Sequence, residues 1–563
     1  MKLILDEFGG IIPRAPAHKL PNKGATVAHN VKLRNGFIEP WREPCIFYDP
    51  TLNRDLPVFY SFHVHGCCVH EWPEIVQAAE ISSDWNRYYI SGRETYLESV
   101  VTGCDCNEEY YRLGVPAPTK APKAAGTETC GDTVDARSYV YTYINEWNEE
   151  SAPSPPSNII RVADGATVTV TGIALPPEGY GIIGANLYRA VSGFRQANGK
   201  QQEPMTVFLY VDTVSFPSTS YTDTVKMVSL GQAIETEDVR VPPDGLSNIV
   251  ALDSSVRLAA TKKNRVYLSE NFQPHNWPVK YELTLDSNIV HMAQNNGKLF
   301  VSTDTKPYVI DVSNCDDTKC TPVTDLDFPL PDISCGYQNS AIATPFGLFY
   351  SSPLGVVLIS GDAKWTIVTK KWFSRDDWAK VAPDTARFGF YEGFLFIVTD
   401  KVSFVLDIDG EPYGDIKGTE LTTISDSPVA METTSVGQLM LMDKNGKVWA
   451  WDKSEKYRPF VWESADLSLK KQQAVLGNIT TQASTLLGCL WSPASVKIRT
   501  EDVKFTLVSP TSGDVYSRTV IWEKPFRLPR VGRHTHWRIR LEGSSPVEFV
   551  TLGTAEHTVN DGA

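Results

Sequence analysis

Short apolar runs alternate with polar or Gly/Pro-containing turns along most of this chain, and between residues 247 and 452 the alternation becomes a repeat. Five stretches share one pattern, an apolar run, a turn and a second apolar run: Leu258–Ser269, Lys298–Asp311, Gly347–Ser360, Phe394–Asp407 and Gln438–Trp451. Each predicts a β-hairpin with largely buried strands. The copies recur roughly every 45 residues, the spacing of propeller blades. A lone hairpin cannot bury both faces and needs neighbours stacked on each side. Radial closure supplies them and leaves only short edges. The expectation is a mainly β chain carrying a β-propeller of about five or six blades over 241–480. A pair of β-sandwiches with coincidental hairpins is the alternative.

The flanks are organised differently. Residues 1–45 place Gly9, Gly10, Pro13 and Pro16 ahead of any regular period, which reads as an extended N-terminal arm that packs on something other than itself. Within it, Ala25 to Leu33 suits a short helix or an extended pairing segment, and Asn35-Gly36 is a two-residue hairpin signal. Residues 46–122 read as a small β region with strands at Leu56–His65 and Trp85–Gly92. Lacking an obvious core of its own, it is the candidate for ring assembly. It ends in a proline-rich linker, Leu113–Pro122. Residues 123–240 carry strands at Ser138–Ile144, Ala166–Thr171, Gly184–Ala190, Val207–Val211 and Ser220–Val225, with a loop at Asn145–Pro156. This reads as a fibronectin-III-like β-sandwich, which wants about seven strands and here shows two fewer. Residues 481–563 alternate again, at Val503–Val508, His536–Leu541 and Val547–Leu552, and predict a C-terminal β-sandwich.

Composition narrows the function. The chain has 563 residues with 14 Trp, 23 Tyr and 23 Phe, which favours β structure. A formal charge of −14 argues against a sequence-reading nucleic-acid binder. No apolar run is long enough to span a bilayer, and the first residues, MKLILDEFGG, do not read as a secretory signal. Reduced thiols in a cytosolic product are expected for the ten cysteines. Cys315 and Cys320 flank a polar loop and could bridge if oxidised.

The densest set of potential metal ligands is His63, His65, Cys67, Cys68 and His70. Two His at i, i+2 share one face of a strand, as in some zinc sites. The spacing departs from compact fingers, and small core groups are the reading adopted. Carboxylates such as Asp84, Glu94, Asp304 and Asp311 could serve a propeller glycosidase, yet nothing pairs them. Ser360-Gly-Asp362-Ala-Lys-Trp365 faintly resembles the Asp-box turn of sialidases but lacks its glycine. No phosphate loop, dinucleotide fingerprint, nucleophile elbow or zincin helix is present. No catalytic residue, cofactor or metal is therefore assigned.

The tract Ser269–Pro278 is more informative. With the run from Val241 before it, it resembles a block in structural proteins of tailed bacteriophages. Phe8–Pro44 resembles the opening of the same proteins and of the nozzle (tail tubular protein B-type) subunits of short-tailed phages. Tyr139–Ser157, Ala185–Gly193 and Ser220–Val225 resemble their inserted fibronectin-like module, and Pro525–Glu556 resembles their C-terminal sandwich. The resemblance spans most of 5–45 and 138–555, and its order is more specific than its individual motifs. It implies a virion tail component that is not an enzyme: a cyclic homo-oligomer, six copies in the short-tailed nozzles, below the portal and adaptor. Tail fibres or spikes would be neighbours, and genome DNA would pass through without sequence-specific binding. The alternative is a carbohydrate-binding or glycosidase-type propeller, for example in a receptor-binding tail protein.

Overall fold

The computed structural model describes residues 2–48, 63–65, 68–70, 74–76, 87–102, 107–128, 134–192, 207–252, 257–313, 318–323, 341–409, 416–434, 437–468, 476–480, 503–509, 513–520, 526–528 and 536–553. The fold is mainly β. Among the described residues the α-helix is a single turn-and-a-half, Arg375–Ala379, capped by the Ser374 side chain. The chain divides into two compact units, 1–71 with 305–309 and 321–563, and 72–304 with 310–320.

In the second unit, a four-stranded antiparallel sheet is built from Glu74–Val76, Arg87–Ser91, Glu98–Thr102 and Glu108–Arg112 in sequence order. The expectation of a region without its own core is corrected here: Tyr88, Ile90 and Val100 are fully buried in this sheet. A second sheet follows the same order through Ser247–Leu252, Arg257–Lys262, Arg265–Leu268 and Leu283–Thr284. The two share an apolar layer of Tyr89, Leu97, Leu113, Leu246, Ile249, Leu258 and Trp277. Leu113 is therefore anchored in a core, and Val115 is buried in the neighbouring sandwich, so 113–122 is not a free linker. A third sheet runs Ile289–Asn295, Lys298–Thr303, Tyr308–Asp311, Lys319–Pro322. Its first hairpin turns on Asn296 (φ 49°) and Gly297 (φ 71°), the paired left-handed geometry that matches strand twist.

Between the first and second sheets lies a seven-stranded sandwich. One sheet has three strands, Lys123–Gly126, Val168–Thr171 and Ser220–Asp223. The other has four, in the order Ile160–Ala163, Val134–Asn145, Ile182–Ser192, Phe208–Ser215. The two strands missed in the sequence are Lys123–Gly126 and Ile160–Ala163; both have only four residues. Tyr139, Tyr141, Val162, Val168, Val170 and Leu187 close the core at 0% exposure.

The first unit repeats the four-stranded pattern three times. The pattern runs through Ala341–Thr344 to Trp365–Ile367, through Arg387–Tyr391 to Lys417–Ile424, which continue into a ten-stranded sheet, and through Ala430–Thr433, Leu439–Met442, Val448–Ala450 closed by Cys45–Tyr48 from the N-terminal region. Each of the five repeated hairpins forms the two middle strands of such a sheet. Four strands paired in sequence order thus begin at residue 74, well before 241. Residues 460–468 leave the pattern and pair with the terminal strand His536–Gly543.

The N-terminal arm does not reach away from the chain. Lys2–Leu5 pairs with Phe549–Gly553, and Phe8 packs edge-on against Trp462 at 4.9 Å. Of the two options for Ala25 to Leu33, extended pairing holds. Ala25–His29 lies between Lys417–Ile424 and Phe460–Ser464, joining the fifth sheet to the terminal sandwich. Glycine makes this threading possible. A Cβ on Gly10 would fall on the Leu421 carbonyl oxygen and 2.7 Å from its amide nitrogen. Backbone packs directly on backbone there, with Ile11 N–H donating to Leu421 O at 2.8 Å. Asn35-Gly36 sits inside a longer connection: the paired strands are Val31–Lys32 and Glu39–Pro40. The terminal sandwich has its core in Phe460, Trp462, Phe505, Ile539, Leu541, Val547 and Val550, so it includes residues well before 481.

Candidate functional site

Two stretches singled out in the sequence, the Asn145–Pro156 loop and the Ser269–Pro278 tract, meet in the second unit. The loop is folded by its own side chains. Asn145 Oδ1 accepts from Trp147 N at 3.1 Å and from Glu149 N at 2.9 Å, while Asn145 Nδ2 donates to Glu149 Oε2 at 2.7 Å. Such Asx bonding lets the backbone turn without a ladder, and Asn148 takes φ 59° within it.

The turn delivers Glu149 to a buried arginine. Arg87, on the second strand of the first sheet, donates to both carboxylate oxygens, at 2.7 and 3.2 Å, and to Ser99 Oγ at 3.1 Å. Its guanidinium lies 3.8 Å from the Trp147 ring centroid. Fork-to-fork pairing and stacking are what arginine supplies and lysine does not. Burial alone would raise the Glu149 carboxyl. The Arg87 charge overturns that and holds it well below the usual carboxylate range. Glu149 is thus a fixed anion at neutral pH, a poor proton acceptor and no acid.

The Ser269–Pro278 tract arrives from the second sheet. Asn276 Oδ1 accepts from Arg240 N at 3.1 Å and Trp277 Nε1 donates to Pro274 O at 2.9 Å. This pins His275 beside Glu149, with Nδ1 3.6 Å from Oε1, where the imidazole joins Arg87 in holding the carboxyl down. Phe272, at φ 57°, stands 70% exposed at the rim.

Around this junction opens a groove of about 750 Å³ lined by both stretches and by Tyr188, Tyr210, Gln232, Glu235 and Thr236. Tyr188 and Tyr210 meet edge-to-face at 5.8 Å. Tyr188 OH donates to Glu150 Oε1 at 2.6 Å, and burial together with that carboxylate raises the Tyr188 phenol. Aromatic faces, two further carboxylates and uncharged polar groups can hold a ligand. Neither Glu149, fixed by Arg87, nor Glu150, engaged by Tyr188, is poised as a base.

The other sequence candidates are not gathered here. His63 registers opposite His70 and His65 opposite Cys68 in a short hairpin; Cys67 lies outside the described residues. Among the described residues, no group of three His, Cys, Asp or Glu could hold a metal ion. Glu94 and Asp304 are exposed in turns, Asp311 accepts from Ser313 Oγ at 2.5 Å, and Asp84 falls outside the described residues. Ser360 and Asp362 bond each other at 2.5 Å in a hairpin turn that Lys364 closes, an ordinary local role. Cys320 is exposed, and Cys315 is outside the described residues. Arg87, the centre of the cluster, was missed. It lies 62 residues from Glu149, and no local pattern marks it.

No family model and no curated protein matches this chain. Among solved structures, a Saccharomyces cerevisiae Dbp5 complex with Nup159 and Gle1 aligns at TM-score 0.23 and 11% identity, over 42% of this chain. This chain spans 56% of that one. A quinonprotein alcohol dehydrogenase-like protein of Bacteroides thetaiotaomicron aligns at 0.23 and 12%, over 63% of this chain and 91% of that one. S. cerevisiae Sqt1 aligns at 0.24 and 9%, over 67% and 94%.

Proposed function

We propose that the chain is a structural, non-enzymatic subunit of a bacteriophage tail nozzle or tube. In this reading the chain carries a β-propeller of about five or six blades, and the seven-stranded, fibronectin-III-like sandwich is an inserted module. The observation that carries it is the threading of the N-terminal region. One continuous segment pairs with the terminal sandwich, bridges it to the fifth sheet and completes the sixth. Such stapling suits a part that must hold its shape under load. It also fits the ordered resemblance along the chain to tail nozzle proteins. The charge of −14 suits a conduit, because an acidic lumen offers phosphates no counterion-releasing contacts. The lumen belongs to a cyclic ring of copies, six by the resemblance, since a head-to-tail interface closes without a free face. Portal and adaptor proteins above and fibres or spikes beside it are the partners, and the virion tail is the location. No helix among the described residues is long and apolar enough to cross a membrane.

Native mass spectrometry with electron microscopy of the purified chain tests this. Closed rings with a central channel are expected. A chain that stays monomeric at every concentration and hydrolyses a glycan with turnover would overturn the reading.

A further inference from the structure

We propose that the groove at the Arg87–Glu149 junction binds a neutral saccharide. Its volume of about 750 Å³ lies within the ordinary range of small-molecule sites, about 300–1,000 Å³. The lining also includes Thr236, and His275, whose Nδ1 stands 3.6 Å from Glu149 Oε1.

The chemistry of the lining selects the ligand. Tyr188, Tyr210 and Phe272 supply aromatic surface. Phe272 is held outward by a left-handed backbone, a conformation that costs a bulky residue energy and clusters at ligand sites. Glu150 and Glu235 supply acceptors, and Asn148 and Gln232 supply both donors and acceptors. No lysine or arginine lines the groove, and Arg87 is spent on Glu149. Phosphates, nucleic acid and acidic sugars therefore find no counter-charge. An ammonium group only donates, whereas hydroxyls donate and accept. The mixture of Thr236, His275, Asn148 and Gln232 matches hydroxyls better than a purely cationic ligand. This inference does not depend on the ring: the groove lies within one unit of one chain.

The test is a glycan array probed with the full chain, followed by calorimetric titration of the neutral oligosaccharides that score. At least one neutral glycan is expected to bind. Phe272→Ala and, separately, Glu235→Gln should each weaken it about tenfold with the melting temperature unchanged. Both residues are exposed, so neither change threatens folding. The proposal fails if no neutral glycan binds, if both variants bind as the parent does, or if only polyamines, basic peptides or acidic glycans bind.

Discussion

At the residue scale, the buried charges set the clearest expectations. Glu149→Gln leaves the Arg87 guanidinium buried without its anion, and breaking such a pair costs about 3–5 kcal/mol. Urea unfolding of the variant should show a loss of that size, and a loss below about 1 kcal/mol would place the pair among weak surface bridges. The pH dependence follows from the depressed carboxyl. The Glu149 contribution is fully present above the ordinary carboxylate range, about 4.3 for glutamate, and is lost as pH falls towards its lower folded value. His291 acts in a neighbouring window. Burial lowers its imidazole to about 4, and its Nδ1 is buried without a partner. An unfolded histidine takes its proton near about 6.5, so the unfolded state binds more protons and stability falls as pH drops from there towards 4. His291→Asn should flatten the melting temperature across that window. An unchanged slope would mean the ring is protonated without cost. Little of this was legible in the sequence. The Asn145–Pro156 loop and the Ser269–Pro278 tract stood out as irregular, but the arginine that fixes Glu149 lies 62 residues away in a separate strand.

At the element scale, the five hairpins were legible because each apolar run is buried on both faces and broken by a turn. Gly355–Ile359 and Phe394–Val398, for example, have every residue buried. The first sheet was less legible because its last strand, Glu108–Arg112, is charged and half-exposed. The N-terminal region was misread for a physical reason. Its glycines and prolines suit close backbone packing as well as a free arm, and the sequence does not say whose backbone is approached. Leu421 of the same chain is the answer at Gly10. Gly10→Ala should therefore destabilise by about 1–3 kcal/mol or more, as overpacking does, read as a lower urea midpoint. A wild-type midpoint would mean the backbones separate freely. Removing residues 1–24 deletes the strand that pairs with Phe549–Gly553 and the Phe8 contact with Trp462. Thermal unfolding of that truncation should show an early transition in the terminal sandwich; a single transition at the parent temperature would show the strand to be dispensable.

At the scale of the whole molecule, the claim is that the chain is a wall block, with function arising from several copies around an axis. Small closed β structures fill their centres with side chains, and only wider ones leave a channel. On the proposed reading, a propeller of about five or six blades is too narrow for a duplex, and the genome's path would belong to the ring. The saccharide groove is a separate property of the sandwich junction and would survive the failure of this claim. The most direct measurement is a cryo-electron microscopy reconstruction of the assembled particle or of purified rings. The account predicts a cyclic ring with its lumen, empty or holding duplex, on the symmetry axis, and each propeller centre closed by side chains. Duplex density threading a single propeller, or chains that form no ring, would contradict it.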